Sequence, residues 1–176
     1  SAAAERLLRG EADYAVTRIP LELLPRLERE DGIRVVTGPS ASRIFCAFNL
    51  RRPPLGDVRV REAVNRAIDR GDLVRRALFG YGAPGVGFYT PSLAWAYNGE
   101  AHVPPLDPAR ARALLAEAGM RRELEMVVLG LAPIEQMAGL LRDQLAGVGL
   151  EVRVTRLPFH EWVDRVVRHR DFDLTL

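Results

Sequence analysis

Apolar and polar positions follow helix spacing in some segments of this chain and strand spacing in others, and the changes of period mark its elements. The clearest helix follows Asp57: Val60, Ala63, Val64, Ala67 and Ile68 fall at the i, i+3, i+4, i+7 and i+8 positions of one buried face. Arg59, Arg61, Glu62, Arg66, Asp69 and Arg70 take the wet side, and Asp57 stands where an N-cap is needed. Before it, residues 45–48 form an apolar run of strand type, and Pro53 with Pro54 forbids both helix and central strand in between. The last third alternates, with a strand over 124–129, a helix over 133–146, a strand over 150–155, a helix over 158–167 and a strand over 172–176. Strands alternating with helices of this length pair in parallel through right-handed crossovers, so the pattern predicts an α/β fold.

The remaining segments are less regular. Residues 2–9 read as the end of a helix closed by Gly10, followed by a short strand over 12–17. Pro20 opens a helical pattern over 21–29 that Pro25 must bend or split. A strand at 33–37, a Gly38-Pro39-Ser40 turn and a strand at 43–49 complete this first block. Gly71-Asp72 is expected to break the chain and recap a second helix over 73–79. Residues 80–106 are rich in Gly and Pro, carry Tyr81, Phe88, Tyr89, Trp95 and Tyr97, and keep no period; ordered loops of that length are commonly functional or wrap a domain edge. Asp107, Pro108 and Gly119 supply the cap, the first position and the stop of a further helix. Phe159, Trp162, Val163 and Val166 fit one apolar helix face and are expected in the core.

Composition narrows the function classes. A chain of 176 residues makes one domain, or one domain and part of a second. With 48% apolar and 27% charged residues it has ordinary globular composition, which argues against disorder. All 25 basic residues are arginine, but 23 acidic residues alternate with them and the net charge is only +2. That mixture lacks the clustered basic patch on which counterion-release binding to nucleic acid depends. The single Cys46 excludes an internal disulfide and, lying in an apolar run, is expected to be a buried, inert thiol. No apolar run approaches the roughly 20 residues of a membrane span, and no signal segment opens the chain. Gly80, Gly82, Gly85 and Gly87 do not join a strand to a helix as a phosphate loop must. His102, His160 and His169 show no metal-ligand spacing, and Ser40, Ser42 and Ser92 lack a nucleophile elbow. Glu22, Glu28, Glu30 and Asp31 are surface charges beside arginines rather than paired acids in a cleft. The residues name no catalytic group, no metal site and no cofactor.

Taken as one string, residues 49–70, NLRRPPLGDVRVREAVNRAIDR, resemble the N-x-x-x-P-P-x-x-D-x-R-V-R-x-A-x-x-x-A-I-D-R run of the family 5 extracytoplasmic solute-binding proteins, the peptide- and nickel-type receptors of bacterial ABC importers. Asn49, Pro53, Pro54, Asp57, Arg59, Val60, Arg61, Ala63, Ala67, Ile68, Asp69 and Arg70 carry the match. Upstream LRGEADYAV at 8–16, and downstream DPARARALLAEAG at 107–119 and the DFDL that begins at Asp171, resemble the same family.

The resemblance implies a periplasmic-binding-protein-like lobe of the type II, large class, with a mixed, partly parallel sheet flanked by helices. It implies two segments: 1–48, part of the terminus-bearing lobe, and 49–176, a C-terminal α/β lobe truncated at its end. It further implies a substrate-binding component of an ABC importer that captures di- or oligopeptides, or another small solute, by hinge closure and hands them to the permease transmembrane subunits. The parent would be a monomer in the periplasm or a cell-surface lipoprotein, without nucleic-acid partners, enzyme activity, metal or cofactor. Phe45, Phe48 and Asn49 at the strand exit, with Tyr89, Trp95 and Tyr97 from the long loop, are the candidate ligand-binding residues. Ser1 is not an initiator and Leu176 stops inside an expected strand, so a fragment with an incomplete cleft is expected. The alternative is a free-standing α/β interaction module with no part in transport.

Overall fold

The computed structural model describes residues 1–16 and 19–176. Its frame is a four-stranded sheet in the order β1–β4–β2–β3, formed by Ala47–Phe48 (β1), Leu124–Leu129 (β2), Val152–Leu157 (β3) and Leu174–Thr175 (β4). β2 pairs in parallel with β3 from Leu124 opposite Val152 to Leu129 opposite Leu157, and in parallel with β4, while β1 joins β4 antiparallel. The sheet is therefore mixed, and the α/β expectation holds with one antiparallel edge.

Period-2 alternation sorts β2 between two helical layers. Leu124, Met126 and Val128 enter the main core with residues of α3 (Val58–Ala67), α4 (Arg70–Ala77), α5 (Pro108–Glu117) and α6 (Ala132–Ala146). Val127 faces the opposite way, onto Val166 and Phe172, with Leu157 and Trp162 packed beside them. That second layer is α7 (Phe159–Trp162), which widens into a π-helical turn over Val163–Arg168.

The helix starts follow their caps. Asp57 accepts the Arg59 amide at 2.8 Å and starts α3, whose Val60, Ala63, Val64 and Ala67 are all buried as their spacing requires. Asp107 accepts the Arg110 amide at 2.9 Å and starts α5, and Gly119, at φ 63°, supplies the left-handed residue that ends it. α4 differs from expectation: it runs Arg70–Ala77, and Asp69 rather than Asp72 is its cap, accepting the Asp72 amide at 2.9 Å. Gly71 then lies within the first turn, and Asp72 faces Arg75 and Arg76 one turn on.

The N-terminal block departs further. α1 (Ala2–Leu8) ends before Gly10, which has φ 69°, and the segment around Pro25 splits as expected into a 3-10 turn, Leu21–Leu23, and α2 (Leu24–Leu27). The strands expected over 12–17 and 33–37 do not form: the described residues 12–16 and all of 33–37 join no ladder, and Thr17 lies outside the described residues. A strand needs a neighbour to satisfy its backbone, and no strand of the described sheet runs beside either segment. The expected strand at 43–49 forms ladder pairs only over Ala47–Phe48, and that at 172–176 only over Leu174–Thr175. β3 lies two residues later than expected, because its register follows β2 and ends where Gly130 donates its amide to the Leu157 carbonyl at 2.8 Å. Of the expected apolar face on α7, Trp162 and Val166 pack inward, but Phe159, at the open end of the helix, is 67% exposed.

Leu174, with no exposed surface, and the exposed Phe159 thus make opposite predictions. Leu174→Ala is expected to lower unfolding free energy by about 2–5 kcal/mol and Phe159→Ala by less than about 0.5 kcal/mol, read by urea denaturation.

Candidate functional site

The strand exit and the bend after it are held by a polar brace. Asn49 is 8% exposed, and its side-chain amide donates to the carbonyls of Arg170 at 2.9 Å and Phe172 at 3.0 Å, while its backbone amide donates to Asp173 at 2.9 Å. Its Oδ1 accepts the Arg51 amide at 3.2 Å, so every polar group of this side chain is used within the chain itself. Asp173 is buried, and its carboxylate accepts from the Arg122 guanidinium at 2.6 and 3.1 Å and from the Glu125 amide at 2.8 Å. Arg122 also donates to the Pro53 carbonyl at 2.8 and 3.1 Å, which ties the double-proline bend to the start of β4.

A second chain of charges lies beside this brace. Asp171 pairs with Arg52 and with Arg165, and Arg165 continues to Glu125 at 2.6 Å. The Arg165 and Arg52 guanidiniums hold the Asp171 carboxyl below its ordinary range. Sequence reading did not find this network; its one available signal was the pair of acids at Asp171 and Asp173 directly before an apolar strand, since a carboxylate carried into a core needs a cation or several N–H donors. Cys46, half-buried against the main core, has its thiol pushed up to about 12 by burial, which keeps it protonated.

Away from the brace, aromatic rings line an exposed surface. Phe45, Phe88, Tyr89 and Trp95 form a ladder with successive ring centroids at 5.9, 5.2 and 6.0 Å. Trp95 is 83% exposed, and Phe45, Phe88 and Tyr89 are exposed as well. Arg43 lies against the ladder, its guanidinium 3.8 Å from the Phe88 centroid. Of the six residues singled out from sequence, the structure therefore gathers Phe45, Tyr89 and Trp95. Phe48 packs against the main core, Asn49 is committed to the brace, and Tyr97, half-buried, is outside the ladder. Phe88, one of the loop aromatics named from sequence, and Arg43 complete the surface; Arg43 was not singled out, because a cation on an aromatic face is a long-range pairing that no local pattern announces.

Elsewhere the titratable groups show structural pairings. His169 lies 3.5 Å from Asp164, the exposed His160 lies 3.7 Å from Glu161, and among the described residues no group of three or more His, Cys, Asp or Glu could hold a metal ion. No helix of the described residues is long and apolar enough to cross a membrane.

The family model described as bacterial extracellular solute-binding proteins, family 5 Middle, matches residues 1–176. The glutathione-binding protein GsiB of Shigella flexneri serotype 5b is 34% identical over 157 residues, which is 88% of this chain and 30% of that protein. The chain thus spans about a third of the length of the curated relatives it matches. A dipeptide-binding protein from a Pseudoalteromonas species, solved in complex with Met-Leu, superposes with a TM-score of 0.81 at 25% identity, over 99% of this chain and 35% of its own. NikA of Brucella suis, solved in complex with Fe(III)-EDTA, superposes with a TM-score of 0.85 at 23% identity, over 99% of this chain and 38% of its own.

The brace makes two predictions. Asn49→Ala leaves the Arg170 and Phe172 carbonyls without their donor and is expected to lower stability by about 1–3 kcal/mol in chemical denaturation. Asp171, whose folded carboxyl is held low, contributes stability that is present above the unfolded carboxylate range and is lost as pH falls through its folded value. Asp171→Asn is therefore expected to be less stable than the wild type at neutral pH, with the difference shrinking in acid below about pH 4.

Proposed function

We propose that this chain, which belongs to family 5 of the bacterial extracellular solute-binding proteins, is part of a receptor that captures di- or oligopeptides by hinge closure and delivers them to the transmembrane subunits of an ABC importer. The observation that carries this reading is the family match over residues 1–176, on a fold shared with a dipeptide-binding protein. The ligand chemistry follows from the relatives taken together: one binds glutathione, itself a peptide, and another was solved with Met-Leu.

Residues 49–176 act as the C-terminal α/β lobe and 1–48 as a partial segment of the lobe that carries the termini. Phe45, Tyr89 and Trp95 form the ligand-facing wall, with Tyr97 beyond them, while Phe48 and Asn49 hold the strand exit from which Phe45 projects. Ligand makes its distinguishing contacts in the closed state, so binding shifts the receptor toward closure. Main-chain hydrogen bonds to an extended peptide would confer affinity without demanding one sequence. The parent works as a monomer, in the periplasm or as a cell-surface lipoprotein, with no nucleic acid; it captures its ligand rather than converting it. Since this chain spans about a third of its relatives, the cleft it forms alone is incomplete.

Calorimetric titration of the full-length parent and of this chain with a mixed di- to octapeptide pool, with mass spectrometry of what is retained, tests the reading. Retention by the parent and weak or no retention by this chain is the expected result. Retention by neither overturns the peptide-receptor reading, and full affinity in this chain alone overturns the incomplete cleft.

A further inference from the structure

The chain has three asparagines, and the surroundings of two of them protect the side-chain amide from attack. Asn49 is buried with its amide nitrogen on two carbonyls, and Asn65 lies inside α3 with its amide nitrogen on the Arg61 carbonyl at 3.0 Å. Asn98 has neither protection. It is exposed in the 80–106 loop and followed by Gly99, and neither its Nδ2 nor the Gly99 amide donates a hydrogen bond among the described residues. Gly99 also has no Cβ to crowd its nitrogen. One bond does form, and it falls on the reactive carbonyl of the side chain: the Glu100 amide donates to Asn98 Oδ1 at 3.0 Å. The Ala101 amide donates to the Asn98 main-chain carbonyl at 3.2 Å and closes the turn.

We propose that Asn98–Gly99 is a self-modifying site, at which the asparagine converts to aspartate and isoaspartate through a cyclic imide. Once hydroxide or a buffer base takes its proton, the Gly99 nitrogen attacks Asn98 Cγ, and the carbonyl electron pair moves onto Oδ1 as the new C–N bond forms. The Glu100 N–H is already aimed at the oxygen where that negative charge develops, as an oxyanion-hole donor is. When the oxyanion collapses, the Cγ–Nδ2 bond breaks and Nδ2 leaves as ammonia with a proton from solvent, to which Asn98 is exposed. Water then opens the imide at either carbonyl. The balance is asparagine plus water giving acid plus ammonia, with nothing oxidised or reduced. The product puts a carboxylate next to Tyr97, in the same loop as Tyr89 and Trp95, and its isoaspartyl form adds a methylene to the main chain there. The chemistry needs no ligand, so it stands apart from the peptide-receptor reading.

The test incubates the full-length parent at neutral and at alkaline pH and follows the tryptic peptide 77–110 by chromatography and mass spectrometry; Asn98 is its only side-chain amide. Expected are two new species, each heavier by the change from amide to acid and formed faster at the higher pH, while the peptides carrying Asn49 and Asn65 stay unmodified. The folded parent should react at least as fast as a synthetic 77–110 peptide, because the Glu100 donor is held in place. Gly99→Ala, whose Cβ would meet only the Tyr97 ring, at 3.7 Å, crowds the attacking nitrogen without disturbing the loop and should slow the reaction at least about tenfold. Glu100→Pro keeps the Asn-Gly pair and removes the donor, so it should slow the folded parent at least about tenfold and the synthetic peptide much less. A parent that reacts at least about tenfold more slowly than the peptide overturns the site, since the fold then shields Asn98. Equal rates for the parent and its Glu100→Pro variant overturn the role assigned to the Glu100 amide.

Discussion

Asp173 carries its carboxylate into the structure with 3% of its side chain exposed, and the bonds that make this tolerable fix much of what surrounds it. A buried carboxylate without partners is strongly unfavourable, so the Arg122 guanidinium and the Glu125 amide must be where they are. Arg122 in turn holds the Pro53 carbonyl, and Asn49 holds the carbonyls of Arg170 and Phe172. The exit from β1, the double-proline bend and the start of β4 are thereby one assembly, although more than a hundred residues of chain separate Asn49 from Asp173. α3 begins four residues after the bend reaches Pro54, so its buried face inherits its position from the same brace.

This explains why segments far apart in sequence resemble one family together. The Asn-x-x-x-Pro-Pro run and the Asp-Phe-Asp-Leu strand meet in space, and each supplies what the other lacks: carbonyls for the Asn49 amide, and a carboxylate for the arginine that grips the bend. The result is a well-tied frame, and the segment that leads into it carries an exposed aromatic strip with a stacked arginine.

Local chemistry was legible in the sequence and long-range chemistry was not. Asp57 and Asp107 could be read as caps because a cap bonds within three residues of itself, and the β2 span was recovered because both of its faces are buried apolar layers. Asp69 and Asp72 were harder, since either acid satisfies the local rule and only the backbone at Asp69, extended at φ −79° and ψ 95°, decides between them. The expected strands at 12–17 and 33–37 failed because apolar spacing describes an extended chain and says nothing of a neighbour to pair with. Of the six candidate residues, Phe45, Tyr89 and Trp95 fall in one ring ladder, and aromatic type was enough to name them. The hydrogen bonds of Asn49 could not be read from the sequence, because the carbonyls that accept them lie at the far end of the chain. Arg43 was one arginine among 25 until its stacking partner was visible.

Native-state hydrogen exchange on the backbone amides tests the brace most directly. The amides of Asn49, Glu125 and Asp173, which donate to the Asp173 carbonyl, the Asp173 carboxylate and the Glu125 carbonyl, are expected to exchange only through global unfolding, at the same free energy as Met126 and Val127 in the centre of β2. Exchange of those three amides by local opening, at the low protection expected of the 80–106 loop, would contradict the claim that this brace holds the lobe together.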